Sequence, residues 1–171
     1  VIGPERVTTL ARGALGPEGA GVPVTNPLTA VIEALRALRA RRIGFLTPYM
    51  PSVSAAMRAA LEGHGFEIAG FASFEEERDP VVARIAPGSV LAGLEAVAAM
   101  GQADALFASC TNLRTLPVIA TAEARTGLPV IASNQALIWH MLRLAGIGET
   151  VPGAGRLFDC PFGAPPERLS A

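Results

Sequence analysis

Two residues combine reactive chemistry with a setting that suits it: Cys110 and Tyr49. Cys110 lies in Ser109-Cys110-Thr111-Asn112, after the apolar run Ala105-Leu106-Phe107-Ala108 and ahead of a helical pattern that opens near Thr115. A thiol before a helix feels the positive end of its dipole and nearby backbone N–H groups. Both favour thiolate, lowering the pKa from about 8.5 by up to a few units. The competing reading is a buried cysteine that packs as a small hydrophobe. Thr111 and Asn112 place further donors beside the sulfur, which suits a carboxylate or phosphate. The alternative is plain capping of the next helix by Asn112 or Thr115. Tyr49 is the single tyrosine of the chain, in a loop between Pro48 and Pro51 that limits its freedom. Its phenol either donates to a developing oxyanion or packs over the loop as a surface residue.

Other reactive side chains carry less. His140, beside Trp139, reads as a core or interface histidine. His64, between Gly63 and Gly65, reads as an exposed helix cap. Neither has a spacing to Cys110 that marks a Cys-His dyad. Cys160 lies in a Gly- and Pro-rich tail and reads as structural. Two cysteines and two histidines, all distant in sequence, give no metal-ligand spacing. The glycines form neither a dinucleotide fingerprint nor a phosphate loop.

These residues need elements to hold them. Pro4–Leu15 reads as a helix stopped by Gly16-Pro17. Asn26-Pro27 opens a second, with Leu28, Val31, Ile32, Leu35 and Leu38 at helical spacing. Ile43–Leu46 is a buried strand ending in the loop Thr47-Pro48-Tyr49-Met50-Pro51. Ser52 caps a helix to about Glu62. Phe66–Ala72 is a second strand, and Glu75–Asp79 a charged, solvated loop. Helical pattern returns at Pro80–Ile85 and Ser89–Met100. Ala105–Ala108 is the third strand, Thr115–Thr126 a helix, Pro129–Ala132 the fourth strand, and Ser133–Leu144 the last helix. The tail from Ile147 to Ala171 has no clear period and is expected to pack along the domain or against a partner subunit.

Short strands that are apolar throughout, alternating with helices, predict a Rossmann-like α/β fold with a parallel four-stranded sheet flanked by helices. The common doubly wound order, 2-1-3-4, makes the first and third strands neighbours. Their C-terminal loops, carrying Tyr49 and Cys110, then face one crevice.

Bulk properties bound the function. The chain has 171 residues, of which 50% are hydrophobic and 17% charged, with a net charge of -1. That is one domain with a sizeable core and no electrostatic footprint for nucleic acid or an anionic membrane. Every basic residue is Arg and Lys is absent. With so much Ala, that points to a compositional bias. No apolar run reaches the ~18–20 residues of a membrane span, and no signal peptide is visible. The sparse cysteines suit a reducing cytoplasm.

Pro23-Val24-Thr25-Asn26-Pro27-Leu28-Thr29-Ala30, Thr47-Pro48-Tyr49, Ser109-Cys110-Thr111-Asn112-Leu113-Arg114-Thr115-Leu116 and Ser133-Asn134-Gln135-Ala136-Leu137 with Trp139-His140 together resemble the Asp/Glu racemase superfamily. The nearest branch holds maleate cis-trans isomerase, arylmalonate decarboxylase and the related ectoine-utilisation proteins. The resemblance runs from about Val1 to Gly146. It implies two similar Rossmann-like lobes, one cysteine from each facing a cleft between them, and no cofactor or metal. Cys110 matches the second-lobe cysteine and Tyr49 the tyrosine that binds carboxylate or enolate oxygen. Thr111 supplies the backbone N–H after the cysteine, while Thr47, Asn112, Thr25 and Asn26 are further cleft candidates. The family's first cysteine sits in a Cys-Thr-Ser-Gly-like turn shortly before a segment like Val1–Arg6. That turn is not in this sequence, and Cys160 does not match it. The chain is therefore read as the C-terminal part of a longer protein: residues 1–24 a remnant of the first lobe, 25–146 the second lobe, 147–171 an irregular tail.

The expected activity is a cofactor-independent isomerase or racemase, with Cys110 working at a carbon next to a carboxylate. The expected partners are a small carboxylic or dicarboxylic acid substrate and further copies of the chain. The alternatives are a decarboxylase in which a single cysteine delivers a proton, and a carboxylate-binding domain without turnover. A hydrolase with Cys110 as acyl nucleophile ranks lower, because no histidine is paired with it.

Overall fold

The computed structural model describes residues 3–160; Val1, Ile2 and the last part of the tail, 161–171, lie outside the described residues. Four parallel strands form one sheet: β1 Arg42–Thr47, β2 Glu67–Ser73, β3 Ala105–Ala108 and β4 Val130–Ala132. Their order is β2-β1-β3-β4. This is the doubly wound arrangement expected from the sequence. Every residue of β3 and β4 is buried, as is all of β1 except Arg42. Continuous apolar runs are what a strand covered on both faces requires. The edge strand β2 is only partly buried.

The helices are α1 Pro4–Leu15, α2 Pro27–Ala37, α3 Pro51–Gly63, α4 Asp79–Val82, α5 Pro87–Met100, α6 Ile119–Thr126 and α7 Ser133–Leu144. Proline opens α1, α2, α3 and α5, where its missing N–H leaves no intrahelical bond unmade. Side chains alternate across the sheet. Ile43, Phe45, Phe107 and Ile131 point to one face, against Val31 and Leu35 of α2 and Trp139 of α7. Leu46, Leu106 and Val130 point to the other, against Val90, Leu94 and Val97 of α5 and Ile119 of α6. Close packing of α5 fixes one residue type on β1. A Cβ at Gly44 would stand 2.5 Å from a Leu106 methyl and 2.8 Å from a Val97 methyl.

Several boundaries differ from expectation. Ser52 does not cap α3: Met50 holds the N-cap position and Pro51 begins the helix. The pattern at Pro80–Ile85 yields only the four-residue α4. The helix expected from Thr115 begins as a 3-10 turn, Leu116–Val118, and α6 proper starts at Ile119. Up to Cys160 the tail packs along the domain. A 3-10 turn at Arg156–Asp159 buries Leu157 and Phe158 in the core.

Candidate active site

The sheet order sets the site. β1 leads outward to β2, and the chain returns to place β3 on the other side of β1, so a crevice opens beyond their C-terminal ends. Leu46 pairs with Ala108, and the loops carrying Tyr49 and Cys110 begin just past Thr47 and Ala108, the ends of β1 and β3.

Cys110 is 7% exposed and has φ of 106°. A non-glycine residue there is strained by roughly 1–3 kcal/mol and persists only where its surroundings fix it. They do. The Cys110 N–H donates to Ser133 Oγ at 3.1 Å, and the Asn112 N–H points back to the sulfur at 3.3 Å. The Thr111 carbonyl accepts from Asn134 Nδ2 at 2.6 Å. Ser133 and Asn134 are the first residues of α7. The helix that meets the cysteine loop is thus α7, not the one following Cys110 in sequence. Regular α-helix begins only at Ile119, so the helix expected from Thr115 does not present its N-terminus directly after the cysteine loop.

Tyr49 stands opposite. Its N–H donates to Thr47 Oγ1 at 3.0 Å, and its carbonyl accepts from Ser54 Oγ and Ser73 Oγ. These bonds fix the backbone and leave the phenol to the crevice. Burial, first, pushes the phenol pKa well above its ordinary value. A hydrogen bond with Cys110 and the charges of Cys110 and Asp79 push it further, against an opposing hydrogen bond from Ser109. At neutral pH the phenol keeps its proton and is a donor.

Tyr49, Cys110, Thr111 and Asn26 line one cavity of about 340 Å³, whose other walls include Leu28, Val31 and Met57. Pro4 and Val7 of α1 also reach it. Asn26 is tied in place: its Oδ1 accepts the Thr29 N–H, its Nδ2 donates to Thr29 Oγ1, and Nδ2 also reaches the Pro4 carbonyl. A second cavity, about 520 Å³, also reaches Cys110, bordered by Tyr49, Asp79, Thr111 and Asn112.

The remaining candidates are placed differently. Thr47 is fully buried, with its hydroxyl engaged by the Tyr49 N–H. Thr25 Oγ1 lies 2.8 Å from His140 Nδ1 and borders a separate groove beside α7. Asn112 borders the second cavity, but its amide donates to the Asp79 carbonyl at 2.8 Å. Neither it nor Thr115 caps a helix: Thr115 Oγ1 is buried without a partner among the described residues. His140 is buried and its pKa is lowered by desolvation, with Glu33 opposing. Among the described residues no cluster of His, Cys, Asp or Glu could hold a metal ion.

Ser133, Asn134 and Asp79 were not singled out as site residues from the sequence. Ser133 and Asn134 follow β4, so extending the strand-end rule to the fourth strand would have found them. Asp79 carries no such signal, because its approach depends on the path of the β2–α4 loop.

The family model of arylmalonate decarboxylase matches residues 14–158. The chain belongs to the arylmalonate decarboxylase family. Among its relatives are a maleate isomerase of Nocardia farcinica, 33% identical over 89% of this chain, and an arylmalonate decarboxylase of Bordetella bronchiseptica, 35% identical over 83%. The chain spans 61% and 60% of those two relatives. A solved structure of a Nocardia farcinica maleate cis-trans isomerase mutant with a covalently bound succinylcysteine intermediate matches with a TM-score of 0.84 and 32% identity. That match covers 90% of this chain and 63% of that one. The resemblance read from the sequence and the Rossmann-like fold therefore both hold. Family membership brings the chain alongside enzymes named for two different reactions, an isomerisation and a decarboxylation.

Proposed function

We propose that this arylmalonate decarboxylase family chain supplies one half of a cofactor-independent active site in which Cys110 acts at a carbon next to a carboxylate. The observation that carries the reading is the position of Cys110: a strained, cross-braced thiol facing a phenol that stays protonated, at the crevice of the sheet.

The difficulty in such chemistry is the enediolate. Removing an α-proton places negative charge on the carboxylate oxygens, and donors already in place lower that cost. Cys110 as thiolate takes the proton, becoming a thiol, and the electron pair of the C–H bond moves into the enediolate. Return of a proton to carbon restores the carboxylate. On a cis double bond the thiolate adds to one alkene carbon instead. The π pair moves into an enediolate at the other carbon, the resulting C–C single bond rotates, and return of that pair re-forms the double bond and expels the thiolate. Tyr49 donates to an enediolate oxygen, and the backbone N–H at Thr111 is a second donor. Asn26 borders the same cavity, with its amide committed to Thr29 and the Pro4 carbonyl, so it shapes the wall that meets the substrate. By resemblance to two-lobed relatives, the second proton carrier stands outside this chain, with residues 25–146 as the second lobe.

Isomerisation or racemisation is the main reading. Decarboxylation of a malonate-type acid uses the same enediolate, protonated by the thiol. Relatives named for each reaction support both. Among the described residues no helix is long and apolar enough to cross a membrane; a cytoplasmic homo-oligomer is the proposed setting, tested by sedimentation and fractionation.

The deciding experiment incubates the native protein in D2O with maleate, aspartate, glutamate and an arylmalonate, following α-deuterium and product by NMR. Cys110→Ala is expected to lower the responding rate by roughly 10²–10⁴-fold while the fold persists. Equal rates in both proteins would remove Cys110 from the chemistry.

A further inference from the structure

The two cavities that meet at Cys110 differ in character. One is walled by Leu28, Val31 and Met57. The other is bordered by Asp79, Asn112 and Thr111, with Tyr49 and Cys110 shared. Asp79 is the one carboxylate-bearing residue among those bordering either cavity.

Its position is built. The β2–α4 loop is bound to the end of β1 by the Phe74 N–H to the Thr47 carbonyl at 3.0 Å and the Glu76 N–H to the Pro48 carbonyl at 2.8 Å. The Asn112 amide then holds the Asp79 carbonyl at 2.8 Å, so the cysteine loop itself sets where Asp79 begins α4. Val82, at the other end of that short helix, is buried in the core.

The charge is not neutralised nearby. Arg78, its neighbour, is committed to Glu76 through bonds of 2.9 and 3.2 Å. Among the described residues the ion pairs do not include Asp79. Its field reaches the site: the Asp79 charge is one of the causes that keep the Tyr49 phenol protonated.

We propose that Asp79 determines substrate choice at the Cys110 site: the side of the thiol it borders takes a hydrogen-bond-donating substituent, such as an ammonium or a carboxamide, and disfavours a second carboxylate. The proposal rests on reading Cys110 as the reacting group. Among acids whose carboxylate is held by Tyr49 and the Thr111 N–H, it favours those with a donor group toward Asp79 and an apolar group toward Met57. A like charge facing a partly exposed carboxylate in screened solvent is disfavoured by a modest factor, roughly threefold to tenfold.

The test uses the thiol as its own probe, so it does not depend on turnover. Cys110 in the native protein is alkylated with iodoacetamide, neutral, and with iodoacetate, anionic, and labelling is followed on the Cys110 peptide by mass spectrometry. The ratio of the two rates cancels any change in thiolate fraction. The neutral-to-anionic ratio is expected to exceed that of glutathione, to fall roughly three- to tenfold in Asp79→Asn, and to recover in Asp79→Glu. Rising salt should compress it in the native protein. An unchanged ratio in Asp79→Asn overturns the proposal, including the case where both rates change together because the loop has shifted. Loss of the function reading looks different: no Cys110-dependent deuterium exchange with any acid, while the ratio still responds to Asp79.

Discussion

Cys110 and Cys160 stand in two regions that use the same device, polar side chains bonding to backbone, for different ends. Around Cys110 the bonds come from Ser133, Asn134 and Asn112, and they hold a backbone with φ of 106°. Around Cys160 they come from Glu123, Gln135 and Arg143, and they hold an unstrained chain against the core. Glu123 Oε1 accepts the Val130 N–H at 3.0 Å and the Arg156 N–H at 3.1 Å. Gln135 Nε2 donates to the Ala154 carbonyl, and Arg143 to the Ile147 and Phe158 carbonyls. Cys160 itself has φ of -80° and donates weakly to the Arg156 carbonyl at 3.7 Å. Its thiol pKa is raised by burial and then by Asp159, with Arg143 opposing. One network maintains strain at a thiol facing a crevice. The other stitches a segment of low helical and strand propensity to the sheet.

If that contrast is right, the two networks fail differently. The largest effect on stability belongs to the second. Glu123→Leu removes the acceptor of a buried strand N–H and releases the Arg156 turn together. Unpaired buried donors and lost bonds to a carboxylate put the cost at about 3 kcal/mol in urea unfolding. Cys110 alkylation at a temperature where the variant stays folded should keep its native rate. A loss of that reactivity would show that the two regions are not separable.

The first network is tested by removing its strain. Cys110→Ala keeps a Cβ at positive φ, whereas Cys110→Gly does not. Relief of roughly 1–3 kcal/mol, set against the extra chain entropy glycine loses on folding, leaves Cys110→Gly more stable than Cys110→Ala by about 1 kcal/mol. Equal stability would mean that the cysteine backbone relaxes in solution. Ser133→Ala is the next step down. It leaves the Cys110 N–H short of its acceptor for about 1 kcal/mol of stability, with turnover falling by more than that loss of folded protein explains. A turnover change no larger than the stability change would make Ser133 merely structural.

Much of this contrast was legible in the sequence, and unevenly. The strands and their order followed from apolar runs between helical patterns, because burial on both faces leaves little choice of residue. Tyr49 and Cys110 could be placed at one crevice because strand-end loops inherit their position from strand order. Asn26 as the cap of α2 was readable from Asn-Pro at a helix start, and the structure makes it so. The braces were not readable. Ser133, Asn134 and Asp79 reach the cysteine loop only through tertiary packing, and no spacing encodes that. Thr47 and Thr25 were singled out for their polarity near the cleft, yet their hydroxyls serve Tyr49 and His140. A polar residue beside a site is as often spent on holding backbone as on meeting a ligand. The Glu123 tie was equally hidden: Glu in α6 reads as a solvent-facing helix residue until Arg156 is seen to return to it.

The smallest effect sharpens the comparison most cleanly, because Tyr49 is the single tyrosine and its phenolate absorbance reports one group. The native protein should titrate well above the ordinary phenol value of 10.0. Cys110→Ala removes both the hydrogen bond and the charge of the thiol, so the midpoint should fall. Burial is the larger cause and remains, so it should stay above 10.0. The sign for stability follows. Above about pH 10 an unfolded chain gives up the phenol proton while the folded protein keeps it. The unfolded state then binds fewer protons, and stability declines as pH rises from there toward the native midpoint. Tyr49→Phe lacks that decline. Alkylation of Cys160 in the same samples should also come late in pH, since burial and Asp159 hold its thiol above the ordinary value. A Tyr49 midpoint that ignored Cys110→Ala would separate the phenol from the thiol and leave the first network bracing a cysteine with no partner across the crevice.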